Sequence, residues 1–515
     1  MIATLMAAAL PPALAEVPMP VLVLAAGILI LLLAIACRRS GPGGAGSETG
    51  AGTVAAALIA AATLGLAFAG LWSPPPPQAA DMARLFAADA WFAYGAGLIL
   101  LSSGGILAMS WRRMAGERAD EAHLLLLLGT LGAIVVAGSA NAVAFFVGLE
   151  ILSLSLLGLI AYRPRLPDAL EAAMKYLVLA GTSSAILLFG LALAYAETGD
   201  LRFTAPLAAN PAEPALATAA TLLVLTGLFF KLSAAPFHLW LADVLDGAPI
   251  PVAAFIAVVS KIALFVALAR YFAMTDLTGT ALPAQDLAVV AVLSMVGGNL
   301  LAFGQTNLKR LLAGSSIAHI GYLLVALLSA GPFGAGSAAF YLAAYAAATL
   351  GAFAALGAVP DHPDLASWRG MFHRRPAVAL ALSVMLASLA GIPPAVGFFA
   401  KAYIVAAGMS AHRMVLLTAL IVSSIIGLCY YLNVARVMMT PAPEAAAPAG
   451  ATLPGTTVLL GALALATLLV GLFPGPLVQR TTGLFLPAAP GGETAARSHD
   501  ILYAGAPPPR PRLLR

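Results

Sequence analysis

Residues 227–240 read GLFFKLSAAPFHLW. Lys231 stands inside an apolar run, and Ser233 and Pro236 follow it. Proline removes a helical hydrogen bond and clashes with the preceding turn, so this run is not one continuous helix. Residues 389–405, LAGIPPAVGFFAKAYIV, repeat the arrangement, with Pro393 and Pro394 ahead of Lys401. Unwound backbone at membrane depth is tolerated only where protein or water satisfies it. Discontinuous helices of this sort mark transport proteins, where they flank ion sites. The plainer reading of each helix alone is a proline kink.

The rest of the chain is in keeping with a membrane setting. Of 515 residues 61% are hydrophobic and only 9% charged, against about 25% charged in soluble domains. A bilayer crossing needs ~20 apolar residues. Fourteen stretches qualify, near 20–37, 51–72, 90–110, 122–140, 142–162, 170–195, 216–240, 251–273, 286–304, 310–330, 335–358, 377–409, 412–436 and 455–474. The expected fold is an all-α integral membrane protein with two discontinuous helices. Cys37 and Cys429 are too few for a disulfide framework or thiolate cluster. The seven histidines show no metal-ligand spacing, so no metal is expected. No nucleotide-binding glycine motif occurs, and no basic face suited to nucleic acid. The first twenty residues are apolar but lack a basic n-region, which weighs against a cleaved signal peptide.

Loop charges orient the spans. Alternate loops hold Arg38, Arg39, Arg112, Arg113, Arg118, Arg163, Arg165, Lys309, Arg310, Arg369, Arg374, Arg375 and Arg436. The intervening loops hold only Arg84, Arg202 and Arg413, with Arg270 at a helix end. The positive-inside rule then puts both termini on the outer, periplasmic side. The Pro-rich tail from 475 carries five arginines outside and is the exception.

Charge inside the spans is lysine, not arginine. Of five lysines, Lys175, Lys231, Lys261 and Lys401 fall within spans, whereas the loops use arginine almost throughout. Arginine stays charged at any accessible pH, but desolvation lets a buried lysine give up its proton. A charge at a helix centre costs ~2.5–3.5 kcal/mol on insertion scales. Glu150, in NAVAFFVGLEILSLSLLGLIAY, is the only acid deep in a span. It needs a cationic partner, and Lys231 or Lys175 can supply one. The competing reading is a static ion pair, which stabilises weakly. Lys175 lies early in its helix and can instead snorkel to the interface. His319, in SSIAHIGYLL, is either a satisfied core residue or a relay between lysines. His238 and Asp243 follow the first break, at a cytoplasmic mouth or as ordinary loop polarity.

Spacing suggests a repeat. Lys231 and Lys401 are 170 residues apart, and Glu150 and His319 are 169 apart. Five spans separate the members of each pair, so the second unit is inverted relative to the first. The expected organisation is 1–121, helices one to three; 122–273, a first five-helix repeat; 286–436, a second; and 437–515, a last helix with a Pro/Arg-rich tail.

At these residues the chain resembles the antiporter-like subunits of respiratory complex I, the proton-pumping NADH:quinone oxidoreductase, and among them subunit N. The segments that carry the resemblance are GLEILSLSLLGLIAYRP at 148–164, EAAMKYLVLAGTSSAILLFG at 171–190, KLSAAPFHLWLADVLDGAPIPVAAFIAVVSKIALF at 231–265, TNLKRLLAGSSIAHIGYLL at 306–324 and LAGIPPAVGFFAKAYIV at 389–405. Subunit N is favoured by the DGAP-x-PV-x-AF stretch and the Ser260–Lys261 pair. The resemblance implies a proton path of Glu150, Lys231, Lys261 and Lys401, with His319 and Lys175 as relays. It implies that NADH, flavin, iron–sulfur clusters and quinone are bound by partner subunits, and that none is bound here. It also implies partnership with homologous antiporter-like subunits in a bacterial inner membrane. Ala242, Leu245 and Ile250 stand where the family usually has proline, tyrosine and threonine; these departures touch the loop, not the buried charges. The rival readings are a subunit of a cation/proton antiporter or membrane-bound hydrogenase, and a structural scaffold whose lysines merely pair.

Overall fold

The computed structural model describes residues 17–39, 50–73, 85–113, 119–162, 166–203, 214–275, 281–329, 331–359, 363–441 and 454–485. The expectations for residues 1–16 and for the tail beyond 485 lie outside these residues, as do Arg84, Arg118, Arg163 and Arg165.

The described chain is almost entirely helical, with isolated bridges and no named strand among the described residues. The helices are α1 (Met19–Arg39), α2 (Gly50–Ala69), α3 (Ala90–Arg113), α4 (Ala119–Gly138), α5 (Ala142–Ile160), α6 (Pro167–Thr198), α7 (Pro214–Leu232), α8 (Leu239–Gly247), α9 (Ile250–Ala257) and α10 (Val259–Thr275). They continue with α11 (Ala281–Phe303), α12 (Leu308–Leu328), α13 (Gly331–Gly357), α14 (Met371–Arg374), α15 (Pro376–Ala390), α16 (Val396–Ser410), α17 (Met414–Met439), α18 (Pro454–Leu472) and α19 (Gly475–Gly483). Among the described residues thirteen spans are long and apolar enough to cross a bilayer, α9 and α10 counting as one. The remaining predicted span, 377–409, is the pair α15 and α16, of 15 residues each. A 15-residue helix is about 22 Å long, short of the ~30 Å hydrocarbon core, so the two halves make one crossing together.

Both predicted breaks are present. Between α7 and α8 the chain turns through Ser233 (φ 58°) and a cis Ala235–Pro236 peptide. Between α15 and α16 it turns through Gly391 (φ 85°) and a cis Pro393–Pro394 peptide. A third interruption was not expected. At Val258 (φ −113°, ψ −66°) α9 gives way to α10 with no proline nearby. Side chains take the place of helical bonds there. Ser260 Oγ donates to Ile256 O at 2.6 Å, and Tyr345 Oη donates to Ala257 O at 2.8 Å. Serine back-bonding of this kind bends helices.

Burial is concentrated at the middle of the fold. The α9–α10 span is buried throughout, and α12 and α13 nearly so. α1, α2, α6 and α18 instead turn most of their surface outward, which in a bilayer means towards lipid. At one end of the fold Arg270, buried at 1% exposure, donates to both carboxylate oxygens of Asp89 (2.9 and 2.6 Å). It also donates to Ala137 O and Ser139 O, meeting the unpaired carbonyls at the end of α4.

Two stretches of the chain are built alike. Asn141 caps α5, its Oδ1 accepting from Val143 N and Ala144 N at 2.8 and 3.0 Å. Asn307 caps α12 in the same way, accepting from Lys309 N and Arg310 N at 2.9 and 3.3 Å. Asn141 bridges to Arg202 after α6, and Asn307 to Asp364 after α13. α4 meets α5 where a Cβ on Gly132 would fall 2.8 Å from Gly148 O. α11 meets α12 where a Cβ on Gly298 would fall 2.7 Å from Gly314 O. Asn141 and Asn307, Gly132 and Gly298, and Gly148 and Gly314 are all 166 residues apart. The spacings of 169 and 170 read from the sequence do not coincide with this register. At 166 Glu150 matches Ser316, and His319 matches Ser153. The cis prolines, Pro236 and Pro394, are 158 apart, so Lys231 precedes its break and Lys401 follows its own. The shared Gly-Phe-Phe letters lie on opposite sides of the two turns.

Candidate functional site: a buried charge line across two helix breaks

The first break leaves the last carbonyls of α7 without helical partners, and each finds a donor. Ser233 N and Trp240 Nε1 donate to Phe230 O at 2.9 and 3.0 Å. Lys261, fully buried on α10, donates to Lys231 O (3.2 Å), Leu232 O (2.7 Å) and Ser233 Oγ (2.7 Å). Its Nζ also lies 5.3 Å from the centroid of the Trp240 ring, a cation–π contact. An ammonium at a helix C-terminus meets the negative end of the macrodipole as well as the bare carbonyls. Lys261 is therefore a helix cap supplied by a neighbouring helix.

Lys231 occupies the last turn of α7, at 6% exposure. Its Nζ donates to Ser153 Oγ on α5 at 3.0 Å. Glu150, one turn earlier on α5, accepts from Ser184 Oγ of α6 at 2.6 Å. No ion pair within 4.0 Å involving Glu150 is present among the described residues, so the expected contact with a lysine is not direct. Ser153 and Glu150 share a face of α5, which keeps the carboxylate close enough to act on Lys231 electrostatically.

The second break uses its own lysine. Lys401 of α16 donates to Ala390 O at the end of α15 at 2.9 Å. Ser388 Oγ accepts from Gly397 N at 3.1 Å and caps the start of α16. The Lys401 ammonium lies 5.0 Å from the centroid of the Tyr322 ring. The Tyr322 ring also meets the His319 ring edge-on, centroids 5.4 Å apart.

His319 is 4% exposed and is held at both nitrogens. Tyr341 Oη and Nδ1 share a hydrogen bond at 2.7 Å; Tyr431 Oη and Nε2 share a longer one at 3.4 Å. Ser315 bonds Tyr431, and Ser316 shares a hydrogen bond with Tyr345 at 2.7 Å. Tyr345 in turn holds the interruption at Ala257 O. Asn299 accepts from Tyr430 Oη at 3.0 Å and donates to Tyr322 Oη at 3.0 Å. A buried set of hydroxyls thus occupies the space between Lys261 and Lys401. The sequence reading missed these tyrosines, which are spread over 322–431 with no linear motif. Their signal was only that aromatic hydroxyls placed deep in spans need partners.

A family model described as NADH:quinone oxidoreductase/Mrp antiporter, TM, matches residues 139–427, the stretch that holds both breaks. The chain belongs to the NADH:quinone oxidoreductase/Mrp antiporter family. It is an antiporter-like, multi-pass membrane subunit of the kind present in respiratory membrane complexes. A chain of respiratory complex I from Thermus thermophilus, solved with bound aureothin, is 32% identical. It has a TM-score of 0.76, with 89% of this chain and 98% of that one covered. A chain of the Mrp complex from Dietzia sp. DQ12-45-1b is 22% identical with a TM-score of 0.78, covering 90% and 96%. A chain of an archaeal membrane-bound sulfane sulfur reductase is 24% identical with a TM-score of 0.78, covering 90% and 97%. At these two lower identities the likeness is one of fold.

In this family member Lys175 stands apart from the buried line. Its side chain is 41% exposed and pairs with Glu171 (2.7 Å) and Asp243 (2.9 Å), not with Glu150. Asp243 also binds Arg310 at 2.8 Å. Asp246 accepts from Asn307 at 2.7 Å, and Lys309 binds the carbonyls of Asp246 and Ala248. The cluster ties α8 to α6 and α12. The Lys175 ammonium, and after it the Arg310 guanidinium, hold the Asp243 carboxyl below the usual carboxylate range against a smaller opposing effect of burial. His238, at the turn before α8, joins none of these pairs.

Proposed function

We propose that the chain is a subunit-N-type, proton-translocating subunit in the membrane arm of an NADH:quinone oxidoreductase. Electron transfer from NADH to quinone takes place in partner subunits, which hold the flavin, the iron–sulfur clusters and the quinone. This subunit is then part of a translocase and carries no redox site of its own. The arginine distribution favours a bacterial inner membrane with both termini on the periplasmic side. The observation that carries the reading is the buried line of Lys231, Lys261, His319 and Lys401 across two helix breaks, with Glu150 beside its start. Identity of 32% to the Thermus complex I chain, against 22% and 24% to the other two, supports complex I over an antiporter or another respiratory complex.

In the proposed cycle a proton from the cytoplasm loads Lys231 while the Glu150 carboxylate favours its charged form. Displacement of Glu150 by a partner subunit removes that support. The proton then passes by way of Lys261 and His319 to Lys401, which releases it outward. A change of tenfold in a proton equilibrium needs only ~1.4 kcal/mol, within reach of one displaced charge. Lys175 acts as the tether of α8 in this scheme and not as a carrier. Repeats spanning 122–273 and 286–436 supply one half-path each.

The test is proton pumping in inverted vesicles driven by NADH. Lys231→Ala and Glu150→Ala should each cut pumping while the complex still assembles. Full pumping in both variants contradicts the proposal. Sodium-dependent proton flux with no dependence on NADH or quinone selects the antiporter reading instead.

A further inference from the structure

We propose that Tyr341 and Tyr431 are proton carriers that hand a proton into and out of His319; this rests on the pumping function proposed above. His319 is the one titratable group between Lys261 and Lys401 that has a hydroxyl on each ring nitrogen, at 2.7 Å on Nδ1 and 3.4 Å on Nε2. In a neutral imidazole one nitrogen donates and the other accepts. Two flanking hydroxyls, each both donor and acceptor, fit either tautomer.

The two sides lead to different places. Tyr341 lies one helical turn from Tyr345 on α13, and Tyr345 reaches the α9–α10 interruption three residues before Lys261. Tyr431 packs on Tyr430, ring centroids 4.3 Å apart, and Tyr430 bonds Asn299, which donates to Tyr322, over whose ring Lys401 sits. The imidazole and its two hydroxyls therefore lie between the α9–α10 interruption on one side and Lys401 on the other.

The transfer balances. Starting with the proton on Nε2, Tyr341 gives its hydroxyl proton to Nδ1. Its oxygen takes up the proton arriving from the Lys261 side. Nε2 releases its own proton to the Tyr431 oxygen, which passes its former hydroxyl proton on towards Lys401. Both hydroxyls and the ring end with as many protons as they began. One proton has crossed, and the ring is left as the other tautomer.

The experiment measures proton flux in inverted vesicles holding the assembled complex, with Tyr341→Phe, Tyr431→Phe and the double variant. Each single variant should lose about a hundredfold or more in flux, the lower end expected for losing a positioned proton donor. Because both stand in one series, the double variant should lose no more than the worse single one; independent structural roles would multiply. Tyr94→Phe is the control, since Tyr94 is a half-buried tyrosine away from His319 whose hydroxyl donates to Ala339 O at 2.7 Å, and it should leave flux unchanged. Flux within twofold of the parent in either single variant overturns the proposal, as does a multiplied loss in the double. If a phenylalanine variant fails to assemble, 3-fluorotyrosine at 341 and 431 keeps shape and hydroxyl and alters only acidity. Flux should then change there and not at 94; no change at either position overturns the proposal. Lys231→Ala in the same vesicles separates the two claims. Full flux in that variant removes the pumping function itself, whereas loss there with normal flux in the tyrosine variants removes only the relay.

Discussion

The two broken spans differ in where they keep their charge. In the first, Lys231 sits before the turn, and a second lysine, Lys261, arrives from the next span to cap the exposed carbonyls. In the second, Leu389 stands where Lys231 would fall by alignment of the cis prolines, and Lys401 caps the end of its own first half. The surroundings differ in the same sense. Glu150 is matched by Ser316 and Lys261 by Gly427, while Ser153 is matched by His319. The first half thus joins Lys231 to Ser153 one turn from the Glu150 carboxylate, and the second sets one lysine beside a histidine and neutral hydroxyls. A charge beside a carboxylate responds when that carboxylate moves. A charge among hydroxyls responds only to protons delivered along them. On the proposed function, the same helical frame carries a charge-switched half and a relay half.

Substitutions can break or sharpen this contrast, beginning with the caps. Lys261→Met leaves two buried carbonyls and Ser233 Oγ without their donor, at about 1–3 kcal/mol for each unsatisfied group. It should therefore produce the largest drop in melting temperature of the assembled complex. An unchanged Tm would mean that water replaces the lysine. Gly132→Ala and Gly298→Ala test the frame. Each forces a methyl against the backbone of the facing helix and should cost on the order of 1–3 kcal/mol. Similar losses at both sites are expected if the halves share one register; a loss at only one would break the equivalence. Lys401→Met strips one carbonyl, Ala390 O, and should destabilise by less than Lys261→Met. The reverse order would contradict the assignment of Lys261 as the principal cap.

The smallest effect is a pH effect at the outer cluster. The carboxyl of Asp243 is held low by Lys175 and Arg310. A group depressed in the folded state stabilises fully above its unfolded value, about 3.9 for aspartate. That contribution is lost only as pH falls through the lower folded value. The difference in Tm between the parent and Asp243→Asn should accordingly stay constant from pH 8 to about 5 and shrink below about 4. A difference that changes between pH 8 and 6 would point to another group.

Much of this was legible in the sequence. Apolar runs gave the spans, because nothing but a helix or closed barrel satisfies backbone in lipid. Pro236, Pro393 and Pro394 gave two breaks, and the scarcity of lysine outside the spans singled out Lys231, Lys261 and Lys401. The interruption at Val258 was hidden because no proline or glycine marks it. A serine two residues on and a tyrosine from α13 take up the carbonyls there. The repeat register was misread because shared Phe-Phe letters are frequent in apolar helices. The true markers are two asparagine caps and paired glycines, each of which looks ordinary alone. Lys175 was read towards Glu150 because its partner Asp243 lies 68 residues away on a half-helix whose direction only the folded break defines.

The most direct test of the central claim is Lys231→Leu, which gives the first half the residue that the second half carries at the matching position. NADH-driven proton flux and Tm are measured together in the assembled complex. The Lys231 side chain makes one hydrogen bond among the described residues, to Ser153, and its removal relieves a buried charge. The expected result is Tm unchanged or raised, with proton flux lower by about a hundredfold or more. Flux equal to the parent at unchanged Tm would show that Lys231 is not on the path.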